Sequence, residues 1–271
     1  QLVMLTSGGY VKRTRLSAFS NIRSNGLIAI SLEDGDDLRW VRLALPGDSV
    51  LIGSLKAMTI HFRLSDEELR PLGRTARGVR AMNLREGDRL VSMDVLPAEL
   101  ADRVASSAAE EAVDDSPADD DEGDEVAASE GPWVLVASAS GLGKRVPVDQ
   151  FRLQKRAGMG LRCMKFRRDG DGLVGLKVLG AGEELLLVSE RGVIVRMQAD
   201  AIPQQSRAAT GVRLQRIDAG DRLAEVVLVP PAPEGEEELT SPEGSASGDE
   251  PVEPGPQASG EATDPAPADE A

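Results

Sequence analysis

Three landmarks recur four times along this 271-residue chain, and that recurrence constrains the fold more than any other feature. A turn position stands at Gly9, Ala57, Gly141 and Gly192. A second glycine follows 17, 21, 19 and 19 residues later, at Gly26, Gly78, Gly160 and Gly211. A Gly-Asp pair comes 9, 9, 10 and 9 residues after that, as Gly35-Asp36, Gly87-Asp88, Gly170-Asp171 and Gly220-Asp221. Apolar columns keep the same register. Leu27, Val79, Leu161 and Val212 directly follow the second glycine, and Ala29, Ala81, Cys163 and Leu214 lie two residues further on. Glycine-rich turns occur in any β protein, but three landmarks at near-constant offsets are not explained by turn composition alone. Units of roughly 50 residues with about four strands each are the pattern of propeller blades. Short apolar runs supply the strands: Leu2 to Leu5, Leu27 to Leu32, Val50 to Ile52, Trp133 to Val136, Leu185 to Val188 and Val226 to Val229. No long stretch carries the spacing of an amphipathic helix, although Leu96 to Val104 can form a short one. The expected class is all-β, with four propeller-like blades.

Charge divides the chain where the repeats do. The formal net charge is -15, yet residues 1–97 sum to +3, 98–131 to -12, 132–230 to +6 and 231–271 to -12. This places blades one and two in 1–97 and blades three and four in 132–230. The two acidic stretches are expected to be a disordered insertion and a disordered tail. They hold too little apolar surface to offset a backbone ordering cost of about 1–2 kcal/mol per residue, and their charges repel. Flexibly tethered negative charge would also compete for any basic rim. A single cysteine excludes a disulfide framework and any cysteine-rich zinc site. No run approaches the roughly 18 apolar residues of a membrane span, and no secretory leader is visible. An opening at Gln1 without an initiator Met is expected of a piece of a longer chain.

The basic residues also fall in columns. Four positions after the first landmark stand Arg13, His61, Arg145 and Arg196; Lys12 and Lys144 precede two of them, where the other units have Ile60 and Val195. The period therefore reads as a pair of blades, with the odd members more basic. Arg15 follows close by. Before the second glycine come Arg23, then Arg74 and Arg77, then Lys155-Arg156, then Arg207; after it come Ile28, Arg80, Arg162 and Arg213. Equivalent positions on successive blades line one rim, where repeated cations can follow a phosphate backbone. Arginine and lysine also protect strand edges, but a whole column favours binding. Catalytic chemistry finds little support. His61 is the single histidine, which rules out a histidine cluster or a Ser-His-Asp triad, and its slot points to the rim. Gly141-Leu142-Gly143-Lys144 lacks the first glycine and the Ser/Thr of a phosphate loop. The Gly-Asp pairs lack the spaced carboxylates of a calcium loop and suit turns. Cys163 falls in a core column and reads as a small hydrophobe. Tyr10 stands beside a strand turn.

Gly-Tyr-Val-Lys-Arg-Thr at 9–14, Gly-Leu-Gly-Lys-Arg at 141–145 and Arg-Gly-Val-Ile-Val-Arg at 191–196 resemble the C-terminal repeats of the bacterial DNA gyrase A subunit, and 75–80 and 209–213 resemble its second landmark. The resemblance covers residues 2–97 and 133–230. It implies a β-pinwheel whose blades exchange strands, with duplex DNA bent around a basic outer rim. By the same resemblance the whole protein is an ATP-dependent type II topoisomerase, an isomerase that introduces negative supercoils. It would work with ATP and Mg2+ and join the rest of its own A chain to the gyrase B protein in an A2B2 holoenzyme, in the bacterial cytoplasm at the nucleoid. The breakage-reunion tyrosine of that family lies outside the repeats, so Tyr10 is not that residue. The family disc has six blades and a glutamine-arginine-glycine-lysine box in the first; four blades and no such box occur here, as expected of a chain starting at the third blade. Two alternatives stand beside this reading, the equivalent disc of topoisomerase IV and a propeller that scaffolds protein partners.

Overall fold

The computed structural model describes residues 1–110 and 129–229. Fifteen strands lie among them. The first seven are β1 (Leu2–Thr6), β2 (Tyr10–Thr14), β3 (Leu38–Leu43), β4 (Ser49–Ser54), β5 (Met58–Arg63), β6 (Val79–Arg80) and β7 (Leu90–Leu96). The rest are β8 (Trp133–Ser138), β9 (Leu142–Pro147), β10 (Leu161–Arg162), β11 (Leu173–Leu179), β12 (Glu184–Ser189), β13 (Ile194–Gln198), β14 (Val212–Arg213) and β15 (Leu223–Val229). Two α-helices stand among the same residues, α1 (Asp66–Leu69) and α2 (Ala98–Glu110).

The strands form four antiparallel sheets, in the orders β3-β1-β2-β6, β10-β5-β4-β7, β11-β8-β9-β14 and β13-β12-β15. Each of the first three sheets takes one edge strand from the next unit, β6, β10 and β14 in turn, and the register is the same each time. Arg80 lies opposite Tyr10, Arg162 opposite Met58 and Arg213 opposite Leu142. At the other side of the blades β7 packs against β3 and β11, and β11 against β15. The exchanged strands therefore lie at the outer edge.

Exchange explains why Leu27 to Leu32, expected as a strand, forms none. Its equivalents join the sheet of the preceding unit, and no preceding sheet exists among the described residues. Ile28 is left 66% exposed. The fourth sheet correspondingly has three strands, with β13 as an open edge. The second glycine makes the same point. It has positive φ in all four units, and a Cβ built on Gly78, Gly160 or Gly211 would meet partner-strand backbone at 2.5–2.7 Å, whereas at Gly26 nothing lies within 4 Å. Three backbones approach too closely for any side chain, and the fourth has no neighbour.

Core packing follows the strand period of two. Val50 and Ile52 of β4 enter one cluster with Val3 and Leu5 of the first sheet, while Leu51 between them enters a second with Val134 and Val136 of the third. Leu135 and Ala137 join Leu185 and Leu187 in the next. Sheets covered on both faces read as continuous apolar runs, whereas β3 alternates partly buried with exposed residues. The Gly-Asp pairs are stitches. The carboxylates of Asp36, Asp88, Asp171 and Asp221 accept the amides of Gly8, Lys56, Ser140 and Arg191 at the first-landmark turn of their own units, at 2.7–3.1 Å. At Asp36 burial opposes ionisation, but bonds from Thr6, Gly8, Ser7 and Asp37 outweigh it and lower the pKa.

The acidic insertion divides into a described and an undescribed part. Residues 98–110, expected to be disordered beyond a short helix, form α2, whose Ala101 and Val104 are fully buried. Arg103 donates to Gly131 O at 2.5 Å and pairs with Asp149 at 2.8 Å. Apolar residues on one helical face offset the local charge. Residues 111–128 and the tail from 230 lie outside the described residues.

Candidate nucleic-acid interface

The outermost strands carry Arg80, Arg162 and Arg213, all exposed and in identical register. Four residues before the second glycine stand Arg74, Arg156 and Arg207. Each reaches back to the preceding unit's outer segment. Arg74 Nη1 donates to Ile28 O at 3.3 Å, Arg156 Nη1 to Arg80 O at 2.6 Å and Arg207 Nη1 to Arg162 O at 2.5 Å. Two columns far apart in sequence thus merge into one row along the rim: Arg74 beside Ile28, Arg156 beside Arg80, Arg207 beside Arg162, then Arg213. Arg156 is further held by Nε donation to Glu68 O at 2.6 Å. Lys155, Arg15 and Arg23 are exposed nearby in sequence, in the connecting segments. Arg77 pairs with Glu33 and lies 4.1 Å from the centroid of the Tyr10 ring, over which Arg80 also sits at 5.5 Å. Arg196 is exposed and paired with Glu184.

Burial removes four candidates from the accessible surface. Lys12 and Lys144 are 0% exposed. Lys12 Nζ donates to the carbonyls of Ala29, Gly73, Arg74 and Ala76 at 2.5–3.3 Å. Lys144 Nζ donates to Ser206, Arg207 and Ala209 at 2.5–2.7 Å. Burial, with Arg74 nearby, draws the Lys12 pKa down to about 8. Arg13 is 3% exposed, its Nη1 donating to Leu64 O and its Nη2 pairing with Asp66. Arg145 is largely covered; it donates to Ile202 O at 2.7 Å, pairs with Asp200 and stacks 4.4 Å from the Trp133 ring centroid.

The paired period of the lysines is real, but it describes junction interiors and not a stronger grip by odd blades. His61, expected at the rim, is likewise buried. Its Nδ1 donates to Phe151 O at 2.7 Å, and Nε2 accepts from the Ser49 hydroxyl at 2.7 Å. Burial, with Arg63 adding to it, lowers its pKa against the pull of that carbonyl. Arg13, His61 and Arg145 therefore share one task. Each clips a carbonyl beyond the matching strand of the next blade, at Leu64 directly after β5 and at Phe151 and Ile202 one 3-10 turn past β9 and β13. Cys163 is buried as its column implies, and burial pushes its thiol up to about 11.

Exposed cations also lie outside the expected columns. At the fifth position after the second glycine Lys165 and Arg216 are exposed, and Arg167 and Arg168 follow Lys165. Extending the same count along the repeat finds the first two, and Arg167, seven residues past the second glycine, has a counterpart in the exposed Arg85 of the second unit.

The model of the DNA gyrase C-terminal domain, beta-propeller family matches residues 1–44, 48–97, 132–179 and 183–230. The DNA gyrase A subunit of Synechocystis sp. (strain ATCC 27184 / PCC 6803 / Kazusa) is 54% identical over 237 residues, covering 88% of this chain and 27% of that protein. The chloroplastic/mitochondrial DNA gyrase A subunit of Arabidopsis thaliana is 36% identical over 248 residues, covering 88% and 24%. This chain thus spans about a quarter of the length of these relatives. Among solved structures, the C-terminal domain of DNA topoisomerase IV superposes with a TM-score of 0.67 at 20% identity, over 84% of this chain and 61% of that one. The DNA gyrase A C-terminal domain gives 0.64 at 24% identity, over 84% and 64%. The fold is shared with both solved domains, and the four matched segments coincide with the four repeat units whose strands build the sheets described above: the chain belongs to the DNA gyrase C-terminal domain, beta-propeller family.

Proposed function

We propose that this disc binds duplex DNA along its rim without reading base sequence and bends it. It would act as the DNA-wrapping module in the A chain of a gyrase-type, ATP-dependent type II topoisomerase that supercoils DNA negatively. The observation that carries the reading is the row in which Arg156 and Arg207 are hydrogen-bonded to the backbone of Arg80 and Arg162. A line of guanidinium groups crossing each blade junction suits a continuous phosphate backbone, and base recognition would need side chains reaching groove edges. The 54% identity to a gyrase A protein favours gyrase over topoisomerase IV. A scaffold for protein partners would leave the arginine row without a purpose.

ATP and Mg2+ belong elsewhere in such a holoenzyme. Lys144, the lysine of β9 that follows Gly141-Leu142-Gly143, has its ammonium held by three carbonyls and does not fit a nucleotide phosphate. The remainder of the gyrase A chain and the gyrase B protein, in an A2B2 assembly at the nucleoid, would supply strand passage. Among the described residues no helix is long and apolar enough to cross a membrane.

Fluorescence anisotropy with labelled duplexes of equal length and unrelated sequence tests the reading. Six phosphates held by Arg74, Arg80, Arg156, Arg162, Arg207 and Arg213 give a slope of log affinity against log salt of about -5.4. A slope near zero, or strong preference for one duplex, overturns it.

A further inference from the structure

We propose that Lys12 and Lys144 are positioning residues, each ammonium pinning the backbone of a rim arginine, Arg74 or Arg207, and making no contact with DNA itself. The inference rests on the rim reading above and assigns the inner support of that row.

The two lysines lie on β2 and β9 and reach across a blade junction to the turn of the following unit. Both bond the same three positions counted back from the second glycine. At the fifth these are Gly73 and Ser206, at the fourth Arg74 and Arg207, and at the second Ala76 and Ala209. Lys12 adds Ala29 O at 2.5 Å. An ammonium has three donors, and three carbonyls occupy them; with no exposed surface, neither lysine has a donor to offer a phosphate. Carbonyl dipoles converging on one point repel one another, so the cation is what allows the turn to close this way. The pinned carbonyl is that of the arginine whose guanidinium reaches the outer segment of the preceding unit.

The middle junction provides an internal contrast. Ile60 takes the lysine's place there, its Cδ1 3.7 Å from a Cβ built on Gly158. The turn is held instead by Glu68, which accepts the Arg156 amide at 2.8 Å through its carboxylate and Arg156 Nε at 2.6 Å through its carbonyl. Where the lysine is absent, the arginine is anchored by another device. A column required for phosphate contact would not be replaced by isoleucine in the middle of the row.

A double-mutant cycle separates positioning from contact. Duplex affinity and its salt slope are measured by anisotropy for Lys12→Met, Arg74→Ala and the double variant, and likewise for Lys144→Met with Arg207→Ala. Methionine keeps the apolar stem and removes the charge. Positioning predicts that each single change lowers affinity about 8-fold at 0.1 M salt and flattens the slope by about 0.9, and that the double variant loses no more. Independent phosphate contacts predict a double variant weaker by about 60-fold, with the slope flattened by about 1.8, and that result overturns the inference. So does a lysine variant that melts earlier yet keeps the parental affinity and slope, since the lysine is then merely structural. The surface variants Arg74→Ala and Arg207→Ala decide the matter even if the methionine variants do not fold. Parental affinity in both means there is no contact to position. A parental chain with no salt-dependent binding refutes the rim reading itself, whereas salt-dependent binding with an additive cycle refutes only this inference.

Discussion

Replacing Arg80, Arg162 and Arg213 together by alanine removes the outermost cation from three blades while sparing what holds them. Each lies on a two-residue strand joined to its sheet through backbone. The carbonyls of residues 80 and 162 persist in alanine, so Arg156 and Arg207 keep their acceptors. The packing of Arg80 over the Tyr10 ring, at 5.5 Å, disappears; at an exposed site it is worth about 0.5–1 kcal/mol. Thermal stability is expected to change little. DNA binding is expected to change greatly. At a slope of about -0.9 per phosphate, each contact is worth about 8-fold at 0.1 M salt and nothing at 1 M. Three contacts come to roughly 500-fold, or about 3.7 kcal/mol, with the slope flattened by about 2.7. Anisotropy titrations of the parental chain and the triple variant between about 0.05 and 0.5 M salt measure both quantities. Arg222→Ala is the control, an exposed arginine just before β15 whose partner is Glu190. A triple variant that binds within twofold of the parent at an unchanged slope refutes the assignment of the outer strands. A control that loses as much affinity as the triple refutes the row as anything more than net charge.

Two further expectations concern the fold. Gly78→Ala places a Cβ 2.5 Å from Val11 O at a φ of 108° and should cost about 3 kcal/mol or more in urea denaturation, whereas Gly26→Ala, with φ 77° and open space, should cost about 1 kcal/mol; equal costs would mean that the exchanged strand does not pack as described. His61, the single histidine, has a native pKa below its unfolded value of about 6.5, so the unfolded chain binds the extra proton between the two values. Stability is therefore complete above about pH 6.5 and falls as pH drops toward the native pKa; His61→Gln should flatten that part of the profile, and a parental chain that gains stability on acidification through the window contradicts the buried neutral imidazole.

The repeat was legible because its landmarks carry backbone requirements. All twelve landmark positions have positive φ, Ala57 included, and eleven of them are glycine, so the sequence records the turns almost directly. The row at the rim was half legible. Arg80, Arg162 and Arg213 follow from register, but their union with Arg74, Arg156 and Arg207 depends on strand exchange, which brings position two of one unit to position minus four of the next. Counting within a unit cannot reveal a contact between units. The lysines misled for a related reason. Lys12 and Lys144 interrupt apolar strands as surface cations do, and only the converging carbonyls of a neighbouring blade make an interior ammonium tolerable. His61 shares the slot of Arg13 and Arg145, and what unites that slot is donation to a carbonyl, which imidazole and guanidinium both accomplish.

The choice of arginine over lysine along the rim follows from the same geometry. A guanidinium has five donors in a rigid plane, whereas an ammonium is a point charge with three. Arg156 spends Nε and Nη1 on the carbonyls of Glu68 and Arg80, and its planar fork still has Nη donors with which to meet a phosphate in a fixed orientation. An ammonium in its place would be drawn into the carbonyls, as Lys12 and Lys144 are. Anchoring to backbone also limits the side-chain entropy lost on binding, because the rotamer is already fixed in the free disc. The hydrogen bonds that join one blade to the next thus set the spacing of the charges. The path available to a bound phosphate backbone is then governed by blade geometry and not by the reach of flexible side chains. That coupling suits the proposed wrapping, since a rim that could rearrange around straight DNA would have no means of curving it.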